Sequence, residues 1–112
     1  MREKPNILFV CGRNKRRSKT AEQIFRNDPR FNSRSAGFSP KSPHQLNIND
    51  KQWADIIFVM EDAHQQRVKK EYRSLNLPPI EVLGIEDEYK FMDKALIELL
   101  ESGVNAYLEI IE

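Results

Sequence analysis

One cysteine, one arginine and one serine near the N-terminus have the types and the spacing of a phosphate-transfer site. Cys11, Arg17 and Ser18 form the pattern Cys-x5-Arg-Ser, and Cys11 is the only cysteine in the 112 residues. A thiolate is a strong nucleophile, and an arginine fork can hold two oxygens of a phosphoryl group. A serine hydroxyl can donate a hydrogen bond to the sulfur when the thiolate leaves. The pattern therefore predicts attack by Cys11 on a phosphorus atom that Arg17 holds.

The residues on either side of this pattern predict a strand before it and a helix after it. Residues 6–10 include a continuous apolar run, typical of a strand buried on both faces. Ser18 and Thr20 mark the start of a helix with Ile24 and Phe25 on its inner face. A loop between two such elements directs backbone N–H groups toward one point, and the helix dipole adds positive potential there. We therefore expect an anion site with a thiol at its base.

The loop itself supplies the predicted phosphate-binding groups. Asn14 tolerates left-handed backbone, and its amide can tie a tight loop together. Loop amides, the helix N-terminus and nearby cations favour the thiolate form of the cysteine, which can then attack. The residues expected to bind the substrate phosphate are consecutive: Gly12, Arg13, Asn14, Lys15, Arg16 and Arg17.

This stretch resembles the phosphate-binding loop of the low-molecular-weight protein tyrosine phosphatases, whose signature is a buried strand, C-x-x-N-x-x-R-S and a helix opening with T-A-E. The matching residues are Cys11, Asn14, Arg17, Ser18, Thr20, Ala21 and Glu22. Further matches are 35–37, 54–60 and an acidic segment near the C-terminus, so the resemblance covers most of the chain and is nearest to a short bacterial-type branch. Arg13, Lys15 and Arg16 depart from the more apolar loop of typical members, and Arg16 replaces the usual second cysteine.

The resemblance implies a phosphomonoester hydrolase that works through a cysteinyl-phosphate intermediate, with phosphotyrosine as the substrate class. Family members carry their general acid in an Asp-Pro-aromatic loop, and the matching residues here, 87–89, lack the proline. We assign Asp87 as the acid because the aromatic Tyr89 keeps its offset, with Glu86 and Glu88 as alternatives. One carboxyl can protonate the leaving oxygen and then activate water.

Two other functions stay open on the sequence. The extra cations Arg13, Lys15 and Arg16 suit a phosphatase that acts on nucleotide or RNA ends. A catalytically silent module that binds phosphate or nucleic acid is the second alternative. An arsenate reductase of the same fold fits less well, because the versions that relay thiols need further cysteines.

The rest of the chain predicts a small doubly wound α/β domain, a three-layer sandwich around a four-stranded parallel sheet. Apolar and helical segments alternate, and their connections are too long for hairpins. The further predicted strands are 31–36, 55–60 and 80–83, and the further helices are 46–53, 61–72 and 93–111. Ligands of such folds lie at the carboxyl ends of the strands. The loop after the first strand and the Asp87 loop after the last should therefore converge.

Several local assignments accompany this prediction. The expected N-caps of the last three helices are Asn49, Asp62 and Asp93. The expected inner-face residues of the third helix are Ala63, Val68 and Tyr72. The expected apolar stripe of the last helix is Ala95, Leu96, Leu99 and Leu100, with an interruption at Gly103. Trp53 is expected to be partly buried.

The composition predicts a globular protein and not a membrane-spanning one. Hydrophobic residues make up 39% of the chain and charged residues 31%, and no apolar run reaches membrane-spanning length. The N-terminus leads into a strand rather than a signal segment, and a single cysteine fits a reducing cytoplasm. His44 and His64 lack ligand spacing, so we expect surface histidines, no metal and no cofactor. We expect one domain over 1–112, monomeric, acting on a phosphorylated protein or small phosphoester.

The net charge of +1 is divided unevenly along the chain. Residues 1–41 hold 11 Lys and Arg against 3 Asp and Glu, a net charge of +8, and residues 42–112 have a net charge of −7. The basic part contains the predicted phosphate loop, so an anionic substrate is attracted to that part of the molecule. An equal alternative is that the two parts simply complement each other in the fold.

Overall fold

Four strands and four helices alternate along the chain in the computed structural model, which describes residues 4–72 and 76–111. The strands are β1 (Asn6–Cys11), β2 (Asn32–Gly37), β3 (Ile56–Val59) and β4 (Ile80–Val82). The helices are α1 (Arg17–Phe25), α2 (Ile48–Trp53), α3 (Asp62–Glu71) and α4 (Lys94–Ile111). Each predicted strand is present, and no end differs from its predicted position by more than one residue.

The strands form one parallel sheet in the order β2-β1-β3-β4. β1 lies between β2 and β3, with Phe9 opposite Ser35 on one side and Phe58 on the other. Because the chain leaves β1 in one direction along the sheet and later continues in the other, the carboxyl end of β1 is a switch point of the topology. Such points are where doubly wound folds bind ligands.

Two apolar cores lie on opposite faces of the sheet and account for its three layers. Along β1, Ile7, Phe9 and Cys11 face one core, and Leu8 and Val10 face the other, as the two-residue period of a strand requires. The first core is completed by α1 and α4, and the second by α3 and the segments that flank α2. The predicted doubly wound three-layer sandwich is confirmed.

The N-caps were predicted less well than the strands. Asn47, not Asn49, caps α2 in a capping box: its side chain accepts from the Asp50 N–H, and the Asp50 carboxylate accepts from the Asn47 N–H. Glu61, not Asp62, occupies the N-cap position of α3, and its side chain makes no capping bond. Asp93 does bond the Ala95 N–H at the start of α4, as expected.

The inner faces of α3 and α4 also differ from the prediction. Val68 is the buried residue of α3, Tyr72 packs at the edge of its core, and Ala63 is exposed. In α4, Leu99 and Ala95 are exposed, and helical spacing continues the buried stripe past Gly103 without interruption. The buried residues of α4 are Leu96, Leu100, Val104 and Leu108. Trp53 is partly buried, as expected, with the Arg34 guanidinium 4.2 Å from its ring centroid.

Lys51 is a buried cation in α2, with only 4% of the residue exposed. Its ammonium lies over the Tyr72 ring, and among the described residues it has no hydrogen-bond partner. Burial lowers the pKa of Lys51 to about 8, although Asp50 and Glu71 act in the opposite direction. A charged amine held this way costs stability at neutral pH.

We predict that Lys51→Met raises the free energy of unfolding by about 2 kcal/mol at pH 7, since it removes a poorly solvated charge. Between pH 8 and the unfolded pKa of about 10.5, the unfolded wild type holds a proton that the folded state has lost. Wild-type stability therefore rises with pH in that window, and the difference between the proteins shrinks. Urea unfolding at several pH values measures both effects.

The exposed Lys69→Gln in α3 serves as the control, and it should show no such convergence with pH. Destabilisation by Lys51→Met at every pH would instead mean that the ammonium–ring contact is net stabilising.

Candidate active site

Three loops that follow β1, β3 and β4 meet at the carboxyl edge of the sheet around a cavity of about 450 Å³. The loop after β1 supplies most of the wall, and the segments after β3 and β4 complete it. The lining residues are Cys11, Gly12, Arg13, Lys15, Arg16, Arg17, Glu61, His64 and Asp87. The predicted convergence of the cysteine loop and the Asp87 loop is therefore present in the structure.

The thiol at the base of this cavity contacts a serine whose orientation is fixed by its neighbours. Cys11 Sγ lies 3.0 Å from Ser18 Oγ, and Asn14 Nδ2 donates to the same hydroxyl oxygen at 2.8 Å. The His44 N–H donates to Asn14 Oδ1 at 3.2 Å, which sets the direction of the amide. Because Ser18 Oγ accepts from Asn14, its own proton is free to point at the sulfur and stabilise a thiolate.

Asn14 fulfils the structural part of its predicted role. Its φ is 55°, in the left-handed region that asparagine tolerates, and its side chain is fully buried inside the loop. The side chain does not line the cavity, so its amide braces the loop and does not contact a phosphate there. Any phosphate contact from this residue would come from its backbone.

The end of β2 supports the loop from behind. The N–H groups of Phe38 and Ser39 donate to the Cys11 and Gly12 carbonyls at 3.1 and 2.9 Å. Gly37 allows this approach, because a Cβ there would lie 2.7 Å from the Asn14 nitrogen and 2.8 Å from the Arg13 carbonyl carbon. The backbones of β2 and the loop are therefore too close for any side chain at position 37.

The Arg17 guanidinium is hydrogen-bonded through one nitrogen and leaves another nitrogen without a partner among the described residues. The residue is 3% exposed, and its Nη1 donates to Glu61 Oε2 at 2.6 Å and to the Ile85 carbonyl at 2.7 Å. Its Nε is buried and has no hydrogen-bond partner among the described residues, with Asp87 Oδ1 3.8 Å away. A buried N–H donor without an acceptor is costly, and an anion in the cavity could satisfy it.

The helix start adds further donors to the same region. α1 begins at Arg17, one residue before the predicted Ser18, and the Arg16 side chain makes no capping bond. The first N–H groups of a helix have no acceptor within the helix itself. Together with the positive end of the helix dipole, they favour an anion in the loop.

Glu61 and His64 are two cavity residues whose ionisation is altered by the site. The hydrogen bond from Arg17 lowers the pKa of the Glu61 carboxyl, so Glu61 stays charged and partly neutralises the guanidinium. Burial lowers the pKa of His64, with the Glu61 charge acting in the opposite direction. His64 packs against Phe38, and its buried Nδ1 has no hydrogen-bond partner within the described residues. It is a neutral imidazole beside the cavity at neutral pH, not the surface histidine we expected.

The position of Asp87 distinguishes it from its acidic neighbours. Its carboxylate lines the cavity with 60% of the side chain exposed, whereas Glu86 and Glu88 do not belong to the lining. Tyr89 packs at the edge of the core that α1 and α4 cover, so it forms no wall of the cavity. Of the three carboxyls considered from the sequence, Asp87 is the one that lines the cavity.

Sequence reasoning missed Glu61 and His64. A signal for Glu61 existed, because it lies two residues after the end of β3, the strand beside β1, at the edge where the predicted site lay. His64 is three residues further on and therefore shares a helix face with Glu61. The acidic start of α3 is interpreted from the sequence as a cap formed by Asp62, an interpretation that gives Glu61 and His64 no role in the site.

Neither a protein-family model nor a curated protein matches this sequence. Solved structures do match its fold. A low-molecular-weight protein tyrosine phosphatase from Streptococcus pyogenes superposes with a TM-score of 0.79 at 18% identity, over 96% of this chain and 93% of the other. YfkJ from Bacillus subtilis superposes with a TM-score of 0.75 at 18% identity, over 98% of this chain and 96% of the other. The YwlE arginine phosphatase from Geobacillus stearothermophilus superposes with a TM-score of 0.74 at 20% identity, over 96% of this chain and 92% of the other.

The sheet topology and these likenesses together identify the architecture. The parallel sheet with a thiol loop at its switch point belongs to the doubly wound α/β class. Within that class, the chain has the fold of the low-molecular-weight tyrosine phosphatases. The expected resemblance is confirmed at the level of the fold.

Two classes of feature are absent from the part of the chain that the structure describes. Within residues 4–72 and 76–111, no three His, Cys, Asp or Glu side chains cluster as metal ligands do. In the same ranges, no helix combines the length and the apolar character needed to cross a membrane.

We predict that Gly37→Ala destabilises the protein by about 1–3 kcal/mol, because the added methyl must displace the loop backbone at Asn14 and Arg13. Phosphate should then raise the melting temperature of the variant less than that of the wild type, since a displaced loop binds the anion less tightly. Thermal unfolding with and without phosphate measures both changes.

Gly12→Ala is the matched control, because a Cβ at position 12 meets no atom within 4 Å. Its melting temperature without phosphate should stay close to that of the wild type. A Gly37→Ala protein with unchanged stability and an unchanged response to phosphate would contradict the close approach of β2 to the loop.

Proposed function

We propose that the protein is a phosphomonoester hydrolase that acts on phosphotyrosine through a cysteinyl-phosphate intermediate. The observation that carries the proposal is the unsatisfied Nε of Arg17, a buried donor on a residue that lines the same cavity as Cys11 and Asp87. The structures of similar fold include tyrosine phosphatases and an arginine phosphatase, which supports phosphoryl chemistry at this site.

In the first step, the Cys11 thiolate attacks phosphorus and the bond from phosphorus to the ester oxygen breaks. Arg17 binds two phosphoryl oxygens through its Nε–Nη2 edge, because Nη1 is already bonded to Glu61 and Ile85. Asp87, in its protonated form, gives its proton to the departing oxygen. The product alcohol leaves, and the phosphoryl group stays on sulfur.

In the second step, water attacks the phosphorus of the intermediate and the sulfur leaves as a thiolate. The Asp87 carboxylate accepts a proton from the water, which restores its acid form for the next cycle. Ser18 donates its hydroxyl hydrogen to the sulfur, 3.0 Å away, as negative charge returns to it. Inorganic phosphate is the product, and neither a metal nor a cofactor is required.

Glu61 acts through Arg17 as a positioning residue. It fixes one nitrogen of the guanidinium at 2.6 Å, while the Ile85 carbonyl fixes the same nitrogen from the β4 side. With the orientation fixed in advance, the open edge needs little rearrangement as charge builds up on the phosphoryl oxygens.

The cations at the rim favour phosphotyrosine over phosphoarginine. Arg13, Lys15 and Arg16 line the cavity, and none forms an ion pair with a described residue. A guanidinium plane can stack on the uncharged aromatic ring of phosphotyrosine. The guanidinium of phosphoarginine would instead meet like charges, which disfavour its binding.

The proposal includes three further features. The reaction needs a reduced thiol, so a reducing cytoplasm suits the protein. The working unit is the single domain of residues 1–112, acting as a monomer. Hydrolysis of nucleotide or RNA ends and silent phosphate binding are the competing functions.

We predict that Cys11→Ser abolishes hydrolysis of p-nitrophenyl phosphate and of a phosphotyrosine peptide while phosphate binding persists, because only the thiolate is lost. Absorbance assays measure turnover, and the phosphate-induced rise in melting temperature measures binding. Turnover that survives in Cys11→Ser would remove Cys11 from the mechanism. A wild type that binds phosphate but turns over neither substrate would identify a silent binding module.

We predict that Asp87→Asn lowers kcat/KM for phenyl phosphate by about 100-fold or more and that for p-nitrophenyl phosphate far less, since nitrophenolate leaves without a proton. The kcat/KM values of the two substrates provide the comparison, because kcat/KM reports the first transfer and not the later attack of water. Glu86→Gln and Glu88→Gln are the matched controls, and both should keep the wild-type ratio. A selective loss in either control would assign the acid to that neighbour.

A further inference from the structure

A second groove of about 350 Å³ adjoins the phosphate cavity on the α1 side. We call it the basic groove, and its principal lining residues are Lys15, Lys19, Glu22, Gln23, Arg26 and Phe91. Lys15 lines both the basic groove and the phosphate cavity. A molecule bound in the cavity could therefore extend past this side chain into the groove.

The basic groove contains two cations that have no partner among the described residues. Lys19 is paired with Glu22 at 3.2 Å, and Glu22 also accepts a hydrogen bond from Ser35. Lys15 and Arg26 are exposed, and neither forms an ion pair or a hydrogen bond with a described residue. Since Lys19 is paired, Lys15 and Arg26 are the two positive charges that a bound anion can match.

An exposed aromatic ring completes the groove. Phe91 is 51% exposed, although large apolar side chains are usually covered. The backbone beside it is anchored, because the Met92 N–H donates to Thr20 Oγ1 of α1 at 2.9 Å and the Asp93 N–H donates to the Lys90 carbonyl. Phe91 is therefore held at a fixed place beside the two unpaired cations.

We propose that the basic groove binds the polypeptide next to the phosphotyrosine of a protein substrate and selects acidic side chains there. The inference rests on the proposed function, since the phosphotyrosine itself occupies the cavity. A carboxylate of the substrate pairs with Arg26 or Lys15, and an apolar side chain of the same segment packs on Phe91. An extended peptide advances about 3.3 Å per residue, so the acidic residues lie within a few positions of the phosphotyrosine.

Charge favours a peptide over a nucleic acid as the occupant. Two unpaired cations match one or two carboxylates, whereas a nucleic-acid footprint uses many phosphate contacts and a strongly basic domain. The net charge here is only +1, and the Glu22 carboxylate lies within the groove itself. Because the Lys19–Glu22 pair adds no net charge, a run of phosphates would meet only two unpaired cations in the groove.

The test is peptide binding to the full-length Cys11→Ser protein, which holds the phosphate without turning it over. Two fluorescent phosphotyrosine peptides are compared by anisotropy at low salt, one with glutamates on both sides of the phosphotyrosine and one with glutamines in their place. We expect the acidic peptide to bind about fivefold more tightly. Arg26→Gln in the same background should remove most of that preference, and higher salt should reduce it.

Lys69→Gln is the matched control, because it removes one positive charge from exposed α3 without touching the groove. It should leave the preference unchanged. The Arg26→Gln single variant, in which Cys11 is intact, should hydrolyse p-nitrophenyl phosphate at the wild-type rate, since that substrate does not reach the groove.

Three results would overturn the inference. Equal binding of the two peptides would mean that the groove selects no acidic residues. Equal loss of preference in Arg26→Gln and Lys69→Gln would assign the effect to net charge. Tighter binding of a 5′-phosphorylated oligoribonucleotide than of the acidic peptide would assign the groove to nucleic acid. Because binding is measured without turnover, these results are independent of whether the wild type hydrolyses phosphotyrosine.

Discussion

The buried guanidinium of Arg17 is the group on which the arrangement of the site depends. Its Nη1 bonds to Glu61 after β3 and to the Ile85 carbonyl after β4, while the residue itself begins α1 after β1. One side chain thus joins the three loops that surround the cavity. A buried charge is tolerated only when it is paired and hydrogen-bonded, so loss of Glu61 would leave a destabilising cation in the cavity wall.

The topology of the sheet makes this junction achievable. In the order β2-β1-β3-β4, all four carboxyl ends lie at one edge, and β1 is flanked by β3 and β2. β2 supports the thiol loop through Gly37, and β3 and β4 hold the arginine. The nucleophile and the anion-binding group are therefore positioned by different strands, yet both are fixed before a substrate arrives.

The sequence predicted the strands and the thiol loop well, because both depend on local patterns. Short segments of the sequence are enough to recognise the apolar runs of β1 and β3. The same holds for the spacing of Cys11, Arg17 and Ser18. Glu61 and His64 were missed because their role comes from contacts across the sheet, and an acidic residue at a helix start is equally typical of a cap. The cap of α2 was misplaced by two residues because two asparagines offer similar signals, and only the backbone geometry decides between them.

The proposed mechanism requires that the Cys11 sulfur carries the phosphoryl group during turnover. To test this, the Asp87→Asn protein, in which water attack is slowed, is mixed with p-nitrophenyl phosphate and quenched, and peptide mass spectrometry locates any covalent phosphate. We expect up to one phosphoryl group per chain, attached to Cys11 and absent from the Cys11→Ser, Asp87→Asn double variant. Nitrophenol release without any covalent phosphate, or phosphate on a residue other than Cys11, would contradict it.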